Sequence, residues 1–243
     1  MEVHTHSHTE RKKWTHYFWE FLMLFLAVFS GFLAEYQLEH VIENQREKQF
    51  MKLMIADLES DTLEIRSISN EIDKRLQKVD SLLVFLTIQP LLQENIIRAY
   101  HYTYPVLNNL TFKFNDRTVT QLKNSGNMRI IRNQKVNDGI ISYWNEIEKI
   151  NQAHDRHTAY RTKGRDMETR IFNTAELYLK NKSPVDVNNA IRLINPDPLL
   201  VKEYANVVAA AGVMLRSIQN LIQNQLTIAK ELIFLIKKEY HLN

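Results

Sequence analysis

Apolar residues recur along most of this chain at alternating steps of three and four positions, which places them on one face of an α-helix. Two such seams stand out, the first from Met51 to Leu86 and the second from Tyr204 to Leu235. Each is sustained over four or more heptads, which is typical of long helices packed side by side at a shallow angle. Because the two seams have matched lengths, we expect them to pair antiparallel.

A third helical stretch is predicted from about Lys135 to Lys180. Its first apolar stripe consists of Val136, Ile140, Tyr143, Ile147 and Ile150. The next positions of that stripe are polar or glycine, namely His154, His157, Arg161, Gly164 and Glu168. We therefore expect either that the helix breaks here or that this part of it is not buried.

Shorter elements are predicted between the seams. The proline-containing segments 89–90 and 195–198 are breaks, and Asn115 or Asp116 can cap a helix that stops at Gly126. A short strand is compatible with the alternation of Leu110, Phe112 and Phe114.

Composition supports long helices joined by few turns. Only 5 glycines and 5 prolines occur among 243 residues, and 44% of the residues are hydrophobic. Such a chain can build a packed core, but it has few turn residues for a β-sandwich or a doubly wound α/β fold. The sequence therefore predicts an all-α protein built as an elongated bundle of long helices.

The same composition excludes several kinds of chemistry. The chain has 0 cysteines, which removes disulfides, thiolate zinc sites and cysteine nucleophiles. Its 31 Lys and Arg are mixed with 28 Asp and Glu, so the net charge of +3 forms no stripe for nucleic acid. No catalytic constellation and no cofactor motif is present, and we expect no enzymatic activity.

Residues 14–36 predict a transmembrane helix ahead of the bundle. Only His16, Glu20 and Glu35 interrupt apolar or small residues, and tryptophan and tyrosine flank both ends. A helix of this length can cross a hydrocarbon core of about 30 Å. A buried core helix and a cleaved signal peptide are the alternatives, but the pattern favours an uncleaved signal anchor and the only span in the chain.

Flanking charges predict the orientation of this span. Arg11, Lys12 and Lys13 precede it, and residues 35–45 contain no Lys or Arg. The positive-inside rule then places residues 1–13 in the cytoplasm as a His-rich tail, and residues 37–243 outside it as a helical domain.

Two stretches resemble a known group of sequences. KKWTHYFWEFLMLFLAVFSGFLAEY at residues 12–36 and TQLKNSGNMRIIRN at residues 120–133 are similar to uncharacterised single-pass membrane proteins common in Bacteroidota, which usually carry a His-rich tail. The resemblance implies a bacterial inner membrane with the main domain in the periplasm, and it brings no known activity or catalytic residue.

Histidines supply two candidate metal sites. His4, His6 and His8 on the tail could chelate a divalent ion, or they could simply be solvated. His154 and His157 lie three residues apart on one helical face and could share a metal. A solvated stretch or a polar packing layer is the alternative for this second pair.

The span and the residues after it carry the remaining candidates. Glu20 either anchors the helix at the interface or couples to ion flow. One stripe, predicted to pack against another copy or another membrane protein, consists of Ala27, Gly31, Ala34, Leu38, Val41 and Ile42. We expect a membrane-anchored interaction or scaffold protein, with a metal- or proton-responsive sensor or accessory subunit as the alternative.

Overall fold

The computed structural model describes residues 14–88, 92–175, 178 and 192–242. No strand occurs among them, which confirms the all-α prediction. The chain divides into two compact units, Met1–Phe50 and Met51–Asn243. The helices are α1 (Trp14–Thr87), α2 (Gln93–Val106), α3 (Arg117–Asn124), a 3₁₀ turn (Asn127–Ile130), α4 (Gln134–Ile171) and α5 (Pro198–Tyr240).

In the second unit, α1 and α5 pack antiparallel, as the matched seams predicted. Lys237 Nζ lies 3.1 Å from Glu59 Oε1, whereas Gln219 Nε2 donates to Ser69 Oγ at 2.9 Å. Residue numbers therefore increase along α1 in the direction in which they decrease along α5. The predicted α1 seam from Met51 to Leu86 is buried at all positions except two, which are half-buried.

The buried face of α5 differs from its predicted seam at four positions. Six seam residues are buried as predicted: Tyr204, Val207, Ala211, Ile218, Gln225 and Leu232. At the other four positions the buried residue is one later than expected, at Leu215, Ile222, Ala229 and Ile236. Alternate steps of three and four fit either register, so the pattern alone did not distinguish them.

The core of this unit includes two clusters of buried apolar residues that concern the candidate site. The first cluster joins the end of α1 to α2, to the end of α4 and to the start of α5. In it the ring centroid of Phe172 lies 4.9 Å from that of Tyr100 and 5.7 Å from that of Tyr204. The second joins residues 65–76 of α1 to Leu110, α4 and the middle of α5. Helix α4 contributes to both clusters.

The expectations for the polar half of α4 were wrong. The helix neither breaks nor leaves this part exposed: it runs unbroken through Gln134–Ile171, and His157 and Glu168 are buried. Since Ala153 belongs to one apolar cluster and Met167 to the other, the polar positions lie between the two. We call them, with one residue of α1, the polar layer: Arg75, His154, His157, Arg161, Arg165 and Glu168.

Side-chain caps begin α4 and α5. Asn133 Oδ1 accepts a hydrogen bond of 3.2 Å from Val136 N at the start of α4, and Asp197 Oδ1 accepts one of 3.0 Å from Leu199 N at the start of α5. The predicted cap of α3 is wrong, because Asp116 makes no side-chain capping bond. Asp57 of α1 instead accepts a hydrogen bond of 3.1 Å from Thr118 N.

The short strand predicted at residues 110–114 is also wrong. This segment is not in a strand, and Leu110 is fully enclosed in the second apolar cluster with Phe112 and Phe114 packed against it. These apolar residues lie in a loop and pack against the helical core. Their alternation therefore does not reflect a β-strand.

Candidate functional site

Arg75 fixes the segment that follows α2 against α1. Its guanidinium donates to the backbone oxygen of Asn108 at 2.5 Å and to that of Asn109 at 3.4 Å, and it pairs with Glu71 Oε1 at 2.5 Å. Backbone oxygens that would otherwise lack partners are thereby satisfied by a charged donor. This segment forms one wall of the cavity described below.

His154 and His157 lie side by side within the polar layer. Their ring centroids are 6.5 Å apart, and the His154 ring meets Phe112 edge to face at 5.1 Å. Burial, followed by the charge of His154, Arg75 and Arg161, lowers the pKa of His157 from 6.5 to about 4. Burial also lowers the pKa of His154, so both imidazoles are neutral near pH 7.

The fold brings no third metal-ligating side chain of the described residues to this histidine pair. Within residues 14–88, 92–175, 178 and 192–242, no group of three or more His, Cys, Asp or Glu side chains is placed to hold an ion. The pair instead shows the features of a polar packing layer, with His157 only 2% exposed.

Glu168 is the most deeply buried acid of α4. It is 0% exposed, and its Oε2 accepts a hydrogen bond of 2.5 Å from Arg165 Nη1. Burial raises the pKa of Glu168, while Arg165 and the Thr103 hydroxyl oppose that rise. Thr103 is also hydrogen-bonded to the hydroxyl of Tyr204, which connects α2 to α5 at the same level.

A cavity of about 520 Å³ opens between the end of α2 and the C-terminal half of α4. Arg161, Arg165 and Glu168 line it from α4, and Thr174 and Tyr178 complete the wall after that helix. From α2 and the residues that follow it come Tyr104, Leu107, Asn108 and Asn109. Cations, amides and aromatic rings therefore converge on one concave surface.

Gly164 allows α4 to approach this wall closely. A Cβ atom at this position would lie 3.0 and 3.2 Å from the two methyl groups of Leu107 and 3.6 Å from Val207. A glycine in mid-helix lowers helix propensity. Here it lets Leu107 and α4 meet directly beside Arg161 and Arg165.

A second polar group, which the sequence analysis missed, joins α1 to α3 and α4. Asp61 is 0% exposed and accepts hydrogen bonds from Asn115 N at 2.8 Å, Asn115 Nδ2 at 2.9 Å and the Tyr143 hydroxyl at 2.6 Å. Asp57, one turn earlier, pairs with Arg117 at 2.7 Å. In the sequence, the signal that could have indicated this group is the pair of acids, Asp57 and Asp61, one helical turn apart beside the apolar seam of α1.

The first unit carries the predicted span. The most apolar 18-residue window of α1 has a mean hydropathy of 1.8, and none of it is buried. Helix α5 also passes the same test of length and composition, with a mean hydropathy of 1.3, but half of its window is buried inside the protein. By length and composition, two helices of the described residues could therefore cross a membrane.

The predicted residues of the first unit lie on an open helix surface. Glu20 Oε1 is 3.1 Å from His16 Nε2, and both side chains are about half exposed. Apart from its chain neighbours and the backbone of its own helix turn, no atom lies within 4 Å of the place a Cβ atom would take on Gly31. The rest of the predicted stripe is exposed as well: Ala27, Ala34, Leu38, Val41 and Ile42. His4, His6 and His8 lie outside the described residues.

Comparison with known proteins adds no family or function. No protein-family model, no curated protein and no solved structure matches this chain. The functional conclusions below therefore depend on its own residues and their geometry.

Proposed function

We propose that this protein is a membrane-anchored, non-enzymatic helical protein that assembles through residues 27–42 with another copy or with a second membrane protein. Residues 14–36 are its single span. Residues 1–13 lie in the cytoplasm and the bundle lies outside, in the periplasm of a bacterium with two membranes.

The observation that carries the proposal is the exposure of large apolar side chains around the whole circumference of α1 before the bundle. Phe21, Met23, Leu24 and Phe32 are each between 65% and 69% exposed, and many neighbours are about half exposed. Soluble monomers rarely expose contiguous apolar surface on this scale, because water contact with it is unfavourable. A lipid bilayer covers such a helix without any protein partner.

The choice of α1 over α5 as the span rests on packing. Half of the apolar window of α5 is already covered by the rest of the bundle, whereas that of α1 is uncovered. Trp14 and Tyr36 lie at the two ends of the proposed span, where aromatic side chains are enriched in membrane proteins.

Assembly is supported by the surface just beyond the span. Leu38 is 60% exposed, Val41 50% and Ile42 38%. They continue the stripe of Ala27, Gly31 and Ala34, whose small side chains permit close helix approach in lipid. An apolar stripe that begins in the bilayer and continues above it is suited to another helix.

The test is the detergent-corrected mass of the protein purified from its native membranes, measured by light scattering. Gly31→Leu combined with Val41→Glu should reduce the mass to that of one chain while helical content by circular dichroism is kept. Phe29→Leu, on the opposite side of the same helix, is the matched control and should keep the assembly. A wild-type protein that is monomeric and without partners would contradict the proposal.

A further inference from the structure

The cavity beside α4 has the size and lining of a small-molecule site. Its volume of about 520 Å³ falls within the range of roughly 300–1,000 Å³ found for ligand pockets, and it far exceeds the space of one ion or water. It lies wholly in the second unit, so an inference about it is independent of the proposed anchor and assembly.

One of the two arginines in the cavity is neutralised and held in place. Arg165 donates to Glu168 Oε2 at 2.5 Å, to the backbone oxygen of Tyr104 at 3.3 Å and to Asn108 Oδ1 at 3.3 Å. Its guanidinium also lies 4.9 Å from the centroid of the Tyr104 ring. Arg165 is thus fixed by the protein itself.

The other arginine is not balanced by any acid of the described residues. Arg161 lies one turn before Arg165 on α4, and its Nε is buried without a hydrogen-bond partner. The positive charge of Arg161 lowers the pKa of three groups, Arg75, His154 and His157, all of which are basic. Glu71 pairs with Arg75 and Glu168 with Arg165, which leaves the Arg161 charge uncompensated.

A guanidinium that lines a cavity without an acid partner is suited to bind an anion. Burying an N–H donor without a partner is costly, and arginine is the residue best suited to hold a planar carboxylate through two parallel hydrogen bonds. The exposed ring of Tyr104 adds apolar surface that inorganic phosphate would leave unused.

We propose that this cavity binds a small organic acid with an aromatic or aliphatic body. Arg161 holds the carboxylate, and the ring of Tyr104 contacts the body. Arg165 is already paired with Glu168 and does not itself need a ligand.

The test is isothermal titration calorimetry on the full chain in a non-ionic detergent, with three probes. Phenyllactate should bind, its neutral amide should bind about tenfold more weakly, and inorganic phosphate should not bind at matched concentration. Preferential binding of phosphate, or binding of none of the three, would overturn the proposal. Equal binding of the acid and its amide would overturn the role of the Arg161 charge.

Variants of α4 then test the residue that carries the inference. Arg161→Gln should weaken phenyllactate by about tenfold or more, and Arg161→Lys should weaken it less. Arg156→Gln, at an exposed position of the same helix, should bind like wild type. Without ligand, Arg161→Gln should unfold at the same temperature as wild type or a higher one, since an unpaired charge is removed. An unchanged affinity in Arg161→Gln would contradict the proposal.

Discussion

The Tyr143 hydroxyl donates a hydrogen bond of 2.6 Å to Asp61 Oδ2, at a point where α4 and α1 meet and neither residue reaches solvent. Burial is the main cause that raises the pKa of both groups. Asp61 also accepts two hydrogen bonds from Asn115. One carboxylate therefore connects two helices and the start of α3.

Asp61→Ala should destabilise the bundle by about 2–4 kcal/mol. The hydroxyl of Tyr143 would be buried without a partner, at roughly 1–3 kcal/mol, and two N–H groups of the half-buried Asn115 would lose their acceptor. Tyr143→Phe removes only one of these bonds and should cost about 1–2 kcal/mol. Denaturant unfolding followed by circular dichroism measures both. The exposed Glu64→Ala on α1 is the control, and an Asp61→Ala variant as stable as this control would contradict the assignment.

Gly164→Val should destabilise the bundle by about 2 kcal/mol, because the added side chain overlaps the enclosed Leu107. Ala159→Val, at an exposed position of the same helix, should change the free energy of unfolding by no more than about 0.7 kcal/mol. Leu107→Ala combined with Gly164→Val should recover part of the loss relative to the sum of the single variants. Strict additivity in this cycle would show that the two side chains do not compete for space.

His157 should make the bundle less stable in acid. Its pKa is about 4 in the folded protein against 6.5 for an ordinary histidine. As the pH falls below about 6.5, the unfolded chain binds a proton at this histidine and the folded protein does not. The free energy of unfolding therefore decreases, by about 3 kcal/mol at pH 4. Well above pH 6.5 the histidine is neutral in both states and does not change the stability.

The comparison of wild type with His157→Gln isolates this effect from the carboxylates that titrate in the same range. The difference in free energy of unfolding between the two proteins should change by about 3 kcal/mol from pH 7 to pH 4. His101→Gln, at an exposed position, should run parallel to wild type. A His157→Gln curve that also stays parallel to wild type would refute the burial effect.

Reporter fusions should reveal the orientation of the span. Alkaline phosphatase fused after Asn243 should be active, because this reporter needs the periplasm, and β-galactosidase fused there should be inactive. Insertion of the reporters ahead of Trp14 should give the reverse result. Activity of β-galactosidase at the C-terminus would place the bundle in the cytoplasm and reverse the proposed topology.

Replacement of His4, His6 and His8 by alanine should leave the abundance, helical content and native metal content of the protein unchanged. The physical reason is that imidazoles on a solvated tail bind divalent ions only weakly without a fixed geometry. Elemental analysis of protein purified from native membranes is the measurement. Loss of a stoichiometric metal in the triple variant would favour the sensor alternative.

Sequence periodicity was sufficient for the helices and for the antiparallel pairing of α1 with α5. A helix satisfies its own backbone hydrogen bonds locally, so the positions of apolar side chains determine which face it buries. Met51 to Leu86 and Val136 to Ile150 were accordingly read correctly. The sequence also located the candidate span at residues 14–36, since its apolar character requires no knowledge of neighbours.

Only the tertiary structure decided that the polar half of α4 is buried. In the sequence, His157, Arg161 and Glu168 look solvated, because burial of such groups is unfavourable unless partners are present. For Glu168 the partner comes from a distant segment: Thr103 lies on α2 and is itself hydrogen-bonded to Tyr204 on α5. The cavity has the same origin, since Tyr104 and Arg165 meet only after α2 and α4 pack. Local patterns determine which elements form, whereas convergence of side chains from separate elements requires the folded chain.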